Sequence, residues 1–124
     1  MKRILFNTVY SKFKDIYSFE TRKLESLRVI NKYPSRIPII CEKINANNSI
    51  TIDKNKYLVP ASFTCGQFIY VIRQRLLLPP EKAIYLFVNG VIPQGSQSII
   101  ELYCQHKDDD GFLYINYSTE NVFG

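Results

Sequence analysis

The sequence predicts a mixed α+β domain, a sheet of four or five strands with one long helix packed across a face and two helices ahead of it. Three observations carry that expectation. Four β-rich runs fall at residues 37–43, 56–60, 83–88 and 112–117, and a capped helical stretch separates the second from the third. The first thirty-odd residues instead read as helical and basic. Finally, 124 residues at 46% hydrophobic and 22% charged form a globular composition with no low-complexity tract, enough for a single core.

Taken in order, a short helix is expected around residues 9–17 and a longer one from about Ser18. In the longer one Leu24, Leu27 and Ile30 recur at helical spacing and make one apolar face, with Glu25 and Val29 on another, partly exposed one. Tyr33-Pro34 stops this helix, because the residue before proline is pushed out of the α region. Next comes the run Ile37-Pro38-Ile39-Ile40-Cys41-Glu42-Lys43, a polar loop at 45–49, and a return through Ile50 and Ile52 into Lys56-Tyr57-Leu58-Val59-Pro60. Pro60 cannot donate to a ladder, so this strand ends there or lies at a sheet edge.

Thr64-Cys65-Gly66-Gln67 is a capping box opening a helix that carries Phe68, Val71 and Ile72 and ends before Leu78-Pro79-Pro80. Residues 83–88 read as a buried strand, and Asn89-Gly90 as a two-residue hairpin turn into Val91-Ile92-Pro93. Ser96 or Ser98 caps a short helix through about Tyr103, and 112–117 alternate as the last strand. The expected organisation is a helical subdomain at 1–35, a sheet domain at 36–117 and a flexible tail at 118–124. A β-grasp arrangement like that of ubiquitin closes this order of elements, as one option among several.

Several function classes are disfavoured. Cys41, Cys65 and Cys104 are odd in number and widely spaced, which suits reduced thiols better than disulfides or zinc. His106 is the one histidine, and no nucleophile motif or Gly-rich phosphate loop accompanies it. Asp108-Asp109-Asp110 lacks the glycine and distal glutamate of a calcium loop and reads as a solvated turn. No enzyme, metal or cofactor is expected. The longest apolar run has six residues, far below the ~20 of a membrane span. The net charge of +5 is uneven. Residues 1–56 carry 12 basic against 5 acidic side chains, and residues 57–124 carry 4 against 6. A nucleic-acid-binding domain is the alternative this suggests, but no aromatic platform interleaves the Lys and Arg residues.

Gly124 is chemically distinctive. A glycine on an extended tail, lacking a Cβ, can pass a narrow enzyme channel and present its carboxyl carbon for acyl transfer.

A set of collinear motifs from about Phe19 onward resembles the autophagy-related protein eight family, the ubiquitin-like group of the GABA-receptor-associated protein and the microtubule-associated light chain three. The motifs are Lys32-Tyr33-Pro34-Ser35-Arg36-Ile37-Pro38-Ile39-Ile40, Asp53-Lys54-Asn55-Lys56-Tyr57-Leu58-Val59-Pro60, Thr64-Cys65-Gly66-Gln67-Phe68, Leu86-Phe87-Val88-Asn89 and Phe112-Leu113-Tyr114-Ile115. The resemblance implies an α+β, ubiquitin-like β-grasp fold with two added N-terminal helices. It also implies activating and conjugating enzymes that carry Gly124 as thioesters and join it to phosphatidylethanolamine. The protein would then be a cytoplasmic monomer that becomes membrane-bound on autophagosomes or, as in parasites with a relict plastid, on that organelle. A ubiquitin-like module that binds peptides but is never conjugated is the alternative within this fold.

The resemblance further implies a groove for acidic peptides of the form aromatic-x-x-aliphatic. Its aromatic pocket would be Glu25, Val29, Pro38, Ile40, Lys56, Leu58 and Phe112. Its aliphatic pocket would be Tyr57, Val59, Pro60, Phe63, Phe68, Val71 and Ile72, with Arg36, Arg73 and Arg75 meeting acidic flanks. Departures from the family include the segment before Phe19, which is longer than in the animal members and matches them poorly, and Gly111, which stands where relatives commonly have a bulky residue beside the pocket phenylalanine.

Overall fold

The computed structural model describes residues 12–44 and 55–119. Two short helices come first, α1 (Lys12–Ile16) and α2 (Phe19–Lys32), followed by strands β1 (Arg36–Lys43) and β2 (Lys56–Pro60). Helix α3 (Cys65–Leu76), strand β3 (Tyr85–Phe87), helix α4 (Ile99–His106) and strand β4 (Leu113–Ser118) complete it. Among the described residues the strands form one sheet in the order β2-β1-β4-β3. β1 pairs antiparallel with β2 and parallel with β4, while β3 pairs antiparallel with β4. The mixed sheet is the α+β architecture expected, with four strands. The expected loop at 45–49, the strand approach through Ile50 and Ile52, Gly124 and most of the tail lie outside the described residues.

Local chemistry sets the element ends. Ser18 accepts the Thr21 N–H to cap α2, and Tyr33, ahead of Pro34, closes it. Thr64 and Gln67 form the reciprocal capping box on α3, which ends at Leu77 in a left-handed conformation. Asn89 and Gly90 both have positive φ, and Val88 and Val91 exchange both backbone hydrogen bonds around them, as the two-residue turn requires. The return after Gly90 is only that single bridge. β3 is shorter than the strand expected at 83–88, for Ala83 is exposed and Ile84 half-buried.

β1 is buried on both faces, which explains its nearly continuous apolar run. Its odd-numbered residues Ile37, Ile39 and Cys41 join the main core with Tyr57, Val59, Leu113, Ile115 and Tyr117. Against these, α3 lays Cys65, Phe68, Ile72 and Leu76 at helical spacing, and α4 adds Ile99 and Leu102. Burial of Cys41 and Cys65 pushes both thiols above their ordinary pKa, Cys65 to about 11, so they behave as small apolar groups. The opposite face of the sheet carries a smaller cluster in which Phe13 of α1 packs on Ile40 and Phe112.

The outward and inward faces of α2 are reversed from expectation. Arg22, Ser26 and Val29 are its buried residues, while Leu24 and Leu27 are 69% and 45% exposed. The cause is a partner from the far end of the chain. Asp110, expected in a solvated turn, is fully buried, and its carboxylate accepts from Arg22 Nη1 at 2.8 Å and from the Tyr114 hydroxyl. Its other oxygen accepts the Phe112 N–H at 2.9 Å, and Ser26 Oγ donates to its backbone carbonyl. Burial opposes the charge on Arg22, but the Tyr114 hydrogen bond and the Asp110 carboxylate hold the guanidinium pKa above its ordinary value. Gly111 sits at φ +94°, and a Cβ there would fall inside the van der Waals contact of Ser26 Oγ. A side chain at this position would strain the backbone and collide with Ser26, so glycine suits the fold here.

Candidate functional site

β2 is the sheet edge, and its register shows which backbone groups are open. Cys41 N–H donates to the Asn55 carbonyl at 2.7 Å, and Ala61 N–H donates to the Ser35 carbonyl at 3.0 Å. With Ile39 opposite Tyr57 and Ile37 opposite Val59, alternation makes these the hydrogen-bonded pairs. Pro38, which has no N–H, lies opposite Leu58, where the ladder needs none. The backbone N–H and C=O groups of Lys56 and Leu58 therefore face away from β1 toward the open edge. Arg36 Nη1 already reaches round to the Leu58 carbonyl at 3.1 Å.

Side chains alternate across that strand. Lys56, Leu58 and Pro60 are half-buried toward the α2 side, while Tyr57 and Val59 are buried in the main core. Of the residues expected in an aromatic pocket, Val29, Pro38, Ile40 and Phe112 are all buried, and Phe13 packs on Ile40 and Phe112. Glu25 and Lys56 bridge this region at 2.5 Å, and Arg28 grips the same carboxylate at 2.8 and 3.0 Å. Hydrogen bonds from Arg28 and then Lys56 pull Glu25 down to about 2. The charged cluster stands beside a cavity of about 370 Å³ lined by Phe13, Tyr17, Thr21, Arg22, Leu24, Glu25, Arg28 and Lys56.

That cavity shares only Glu25 and Lys56 with the aromatic set. The spacing of Glu25 and Arg28, three apart on one helix, was the available signal for the second cation. Nothing local marked Phe13 or Tyr17. Of the aliphatic set, Tyr57, Val59, Phe68 and Ile72 are core residues, with Tyr57 and Phe68 in edge-to-face contact at 5.6 Å. Phe63 and Val71 are partly buried against them. Pro60 alternates with Lys56 and Leu58 rather than with Tyr57 and Val59.

Arg73 donates to the Pro79 and Pro80 carbonyls at 3.0 and 3.3 Å, which fastens the loop after α3. Arg75 is exposed on the same helix. His106 approaches the Asn89 side chain at 3.0 Å. No group of three or more His, Cys, Asp or Glu residues able to hold a metal lies among the described residues. Nor is any helix there long and apolar enough to cross a membrane.

A mixed sheet grasping a capped helix, two helices on its second face and a cation-lined edge strand define a ubiquitin-like protein. The comparisons with known proteins agree. Residues 21–124 match the family profile described as "Autophagy protein Atg8 ubiquitin like". Autophagy-related protein 8 of Coccidioides immitis is 58% identical over 114 residues, 92% of this chain and 97% of that protein. That of Neosartorya fischeri is 57% identical over the same shares. The crystal structure of Trypanosoma brucei ATG8 superposes with a TM-score of 0.82 at 40% identity, covering 88% of this chain and 94% of that one. Plasmodium falciparum Atg8, solved in complex with a Plasmodium falciparum Atg3 peptide, superposes with a TM-score of 0.81 at 37% identity, covering 90% and 98%. The chain belongs to the Atg8 family of ubiquitin-like autophagy proteins. With the Coccidioides and Neosartorya relatives a match of 114 of the 124 residues begins ahead of Phe19.

Proposed function

We propose that this chain is a modifier joined through the Gly124 carboxyl to phosphatidylethanolamine, and that on the membrane it holds acidic aromatic-x-x-aliphatic peptides along β2. Family membership supports the conjugation. The chemistry is acyl transfer: ATP activates the Gly124 carboxylate as an adenylate, and a cysteine thiol of the activating enzyme displaces AMP to form a thioester. After exchange onto the conjugating enzyme's thiol, the lipid amine attacks the carbonyl carbon, an amide forms and the thiol leaves. This chain supplies the acyl group and no catalyst.

The single observation that carries the peptide reading is the free edge of β2. Outward-facing groups on Lys56 and Leu58 offer a ladder for strand addition, and Lys56, Arg28 and Arg36 set positive charge around it. An incoming aromatic side chain would enter by parting Lys56 from Glu25 toward Ile40 and Phe112, and an acidic flank would replace Glu25 as the partner of Lys56. An aliphatic residue three positions on would meet Phe63 and Val71. A peptide of the conjugating enzyme is one such ligand, as a complex of that kind exists for the Plasmodium relative.

Two measurements test the two halves. With its activating and conjugating enzymes, ATP and phosphatidylethanolamine liposomes, the wild-type chain should give a lipidated band and Gly124→Ala little of it; equal yields would refute conjugation at that carbon. By calorimetry, Lys56→Glu with Leu58→Ala should weaken an acidic aromatic-x-x-aliphatic peptide by about 2 kcal/mol, roughly thirtyfold, with the circular dichroism unchanged. Unchanged affinity would remove the groove.

A further inference from the structure

The outward face of α2 has a composition that its fold does not use. Leu24 and Leu27 stand one turn apart near the middle of the helix, 69% and 45% exposed, with half-buried Ile30 next along the same spiral. Aromatic residues flank them, Tyr17 and Phe19 ahead and Tyr33 behind, each 39–45% exposed, and Ile16 at the end of α1 is 68% exposed. Six of the nine large apolar side chains exposed among the described residues fall between residues 16 and 33. Tyr17 and Leu24 share the rim of one cavity, so the corner and the helix face are continuous.

Positive charge surrounds this patch. Residues 12–36 carry seven Lys or Arg against three Asp or Glu, a net +4. Lys32 lies 5.5 Å over the Tyr33 ring, so an exposed cation sits beside the aromatic at the C-terminal end of α2. Apolar residues in the middle, aromatics at the ends and basic side chains along the flanks match the layering of an anionic membrane surface, from acyl chains through the interface to phosphate. A second copy of the chain is a poorer occupant, because two faces of the same +4 segment repel.

We infer that the outer face of α2, centred on Leu24 and Leu27, is a docking surface for an anionic lipid bilayer. It lies flat in the interface, with the two leucines below the headgroups and Lys23, Arg28 and Lys32 among them. This contact needs no conjugation at Gly124, so it can be tested on the unconjugated protein and can fail without touching that reading.

The test is flotation of the unconjugated full chain with vesicles of phosphatidylcholine alone and of phosphatidylcholine with phosphatidylserine. Wild type should float with the anionic vesicles, less as salt rises, and only weakly with the neutral ones. Leu24→Ser with Leu27→Glu, both at exposed positions, should bind about tenfold more weakly while keeping the circular dichroism of wild type. Absence of wild-type flotation, or equal flotation by the variant, overturns the proposal. A concentration-dependent dimer in sedimentation that the same variant abolishes would assign the face to self-association and overturn it too.

Discussion

The two faces of the sheet are held by different physics. On the α3 side, sixteen buried apolar residues form one continuous cluster in which Phe68 and Ile72 are wholly inaccessible. On the α1 and α2 side the apolar cluster among the described residues is Phe13, Ile40 and Phe112, with Tyr114 packed against it. The rest of that contact is directional: Arg22 to Asp110, Ser26 to the Asp110 carbonyl, Tyr114 to Asp110, and the Phe13 N–H to Glu42 at 2.9 Å. Apolar burial tolerates small shifts, whereas a buried polar network fixes geometry and fails badly when one member is missing. The face that carries the Glu25, Arg28 and Lys56 charge cluster is the one built from polar bonds. The face that only has to hold the sheet together is built from hydrocarbon.

Breaking the polar face should have the largest effect. Asp110→Ala strands the buried Arg22 guanidinium and should cost about 3–5 kcal/mol in urea denaturation. Replacing both partners, with Arg22→Met and Asp110→Leu, should recover most of that loss; a double variant as unstable as the single one would show that Asp110 acts through Phe112 and Tyr114 instead. On the apolar face, Phe68→Ala should cost about 3–4 kcal/mol through lost burial and a cavity beside Tyr57, and no second substitution on the α2 side should modulate it.

The smallest effect should come from acid. Glu25 titrates near 2 in the fold against an ordinary value of 4.5, so its contribution is complete above pH 4.5 and drains away as pH falls toward 2. Arg28 and Lys56 are largely exposed, and screening trims the contribution to about 1 kcal/mol. Wild type should therefore exceed Glu25→Gln in stability by that amount at pH 6 and converge with it near pH 2. A constant gap across that range would remove the ion pair from the account.

Features set by neighbours in the chain were legible in the sequence. Ser18 and Pro34 bound α2, Thr64 and Gln67 open α3, Asn89-Gly90 makes the turn, and Pro60 ends an edge strand, each through a local conformational or hydrogen-bonding rule. Features set across the chain were not. Apolar spacing chose Leu24, Leu27 and Ile30 as the inner face of α2, but a buried carboxylate 88 residues away from Arg22 rotates the helix the other way. Charge density at Asp108-Asp109-Asp110 suggested solvent, while a single Arg makes burial of Asp110 tolerable. The alternation of side chains along β2, with Lys56 and Leu58 on one side and Tyr57 and Val59 on the other, followed from sequence. The packing of Phe13 on Ile40 and Phe112 depends on how α1 folds back, which no short motif encodes.

The parallel pairing of β1 with β4 has a consequence for synthesis. Leu113 lies beside Ile39, 74 positions earlier, and among the described residues β3 pairs with β4 alone. Of the four strands, the one translated last occupies an interior position. Until β4 is made, β1 lacks its parallel neighbour, and Phe68 and Ile72 of α3 lack Leu113, Ile115 and Tyr117 from their shared core. Acquisition of the native sheet is thus a late, nearly all-or-none event governed by long-range closure. A ribosome pausing before residue 113 would leave a sticky half-sheet for chaperones to shield.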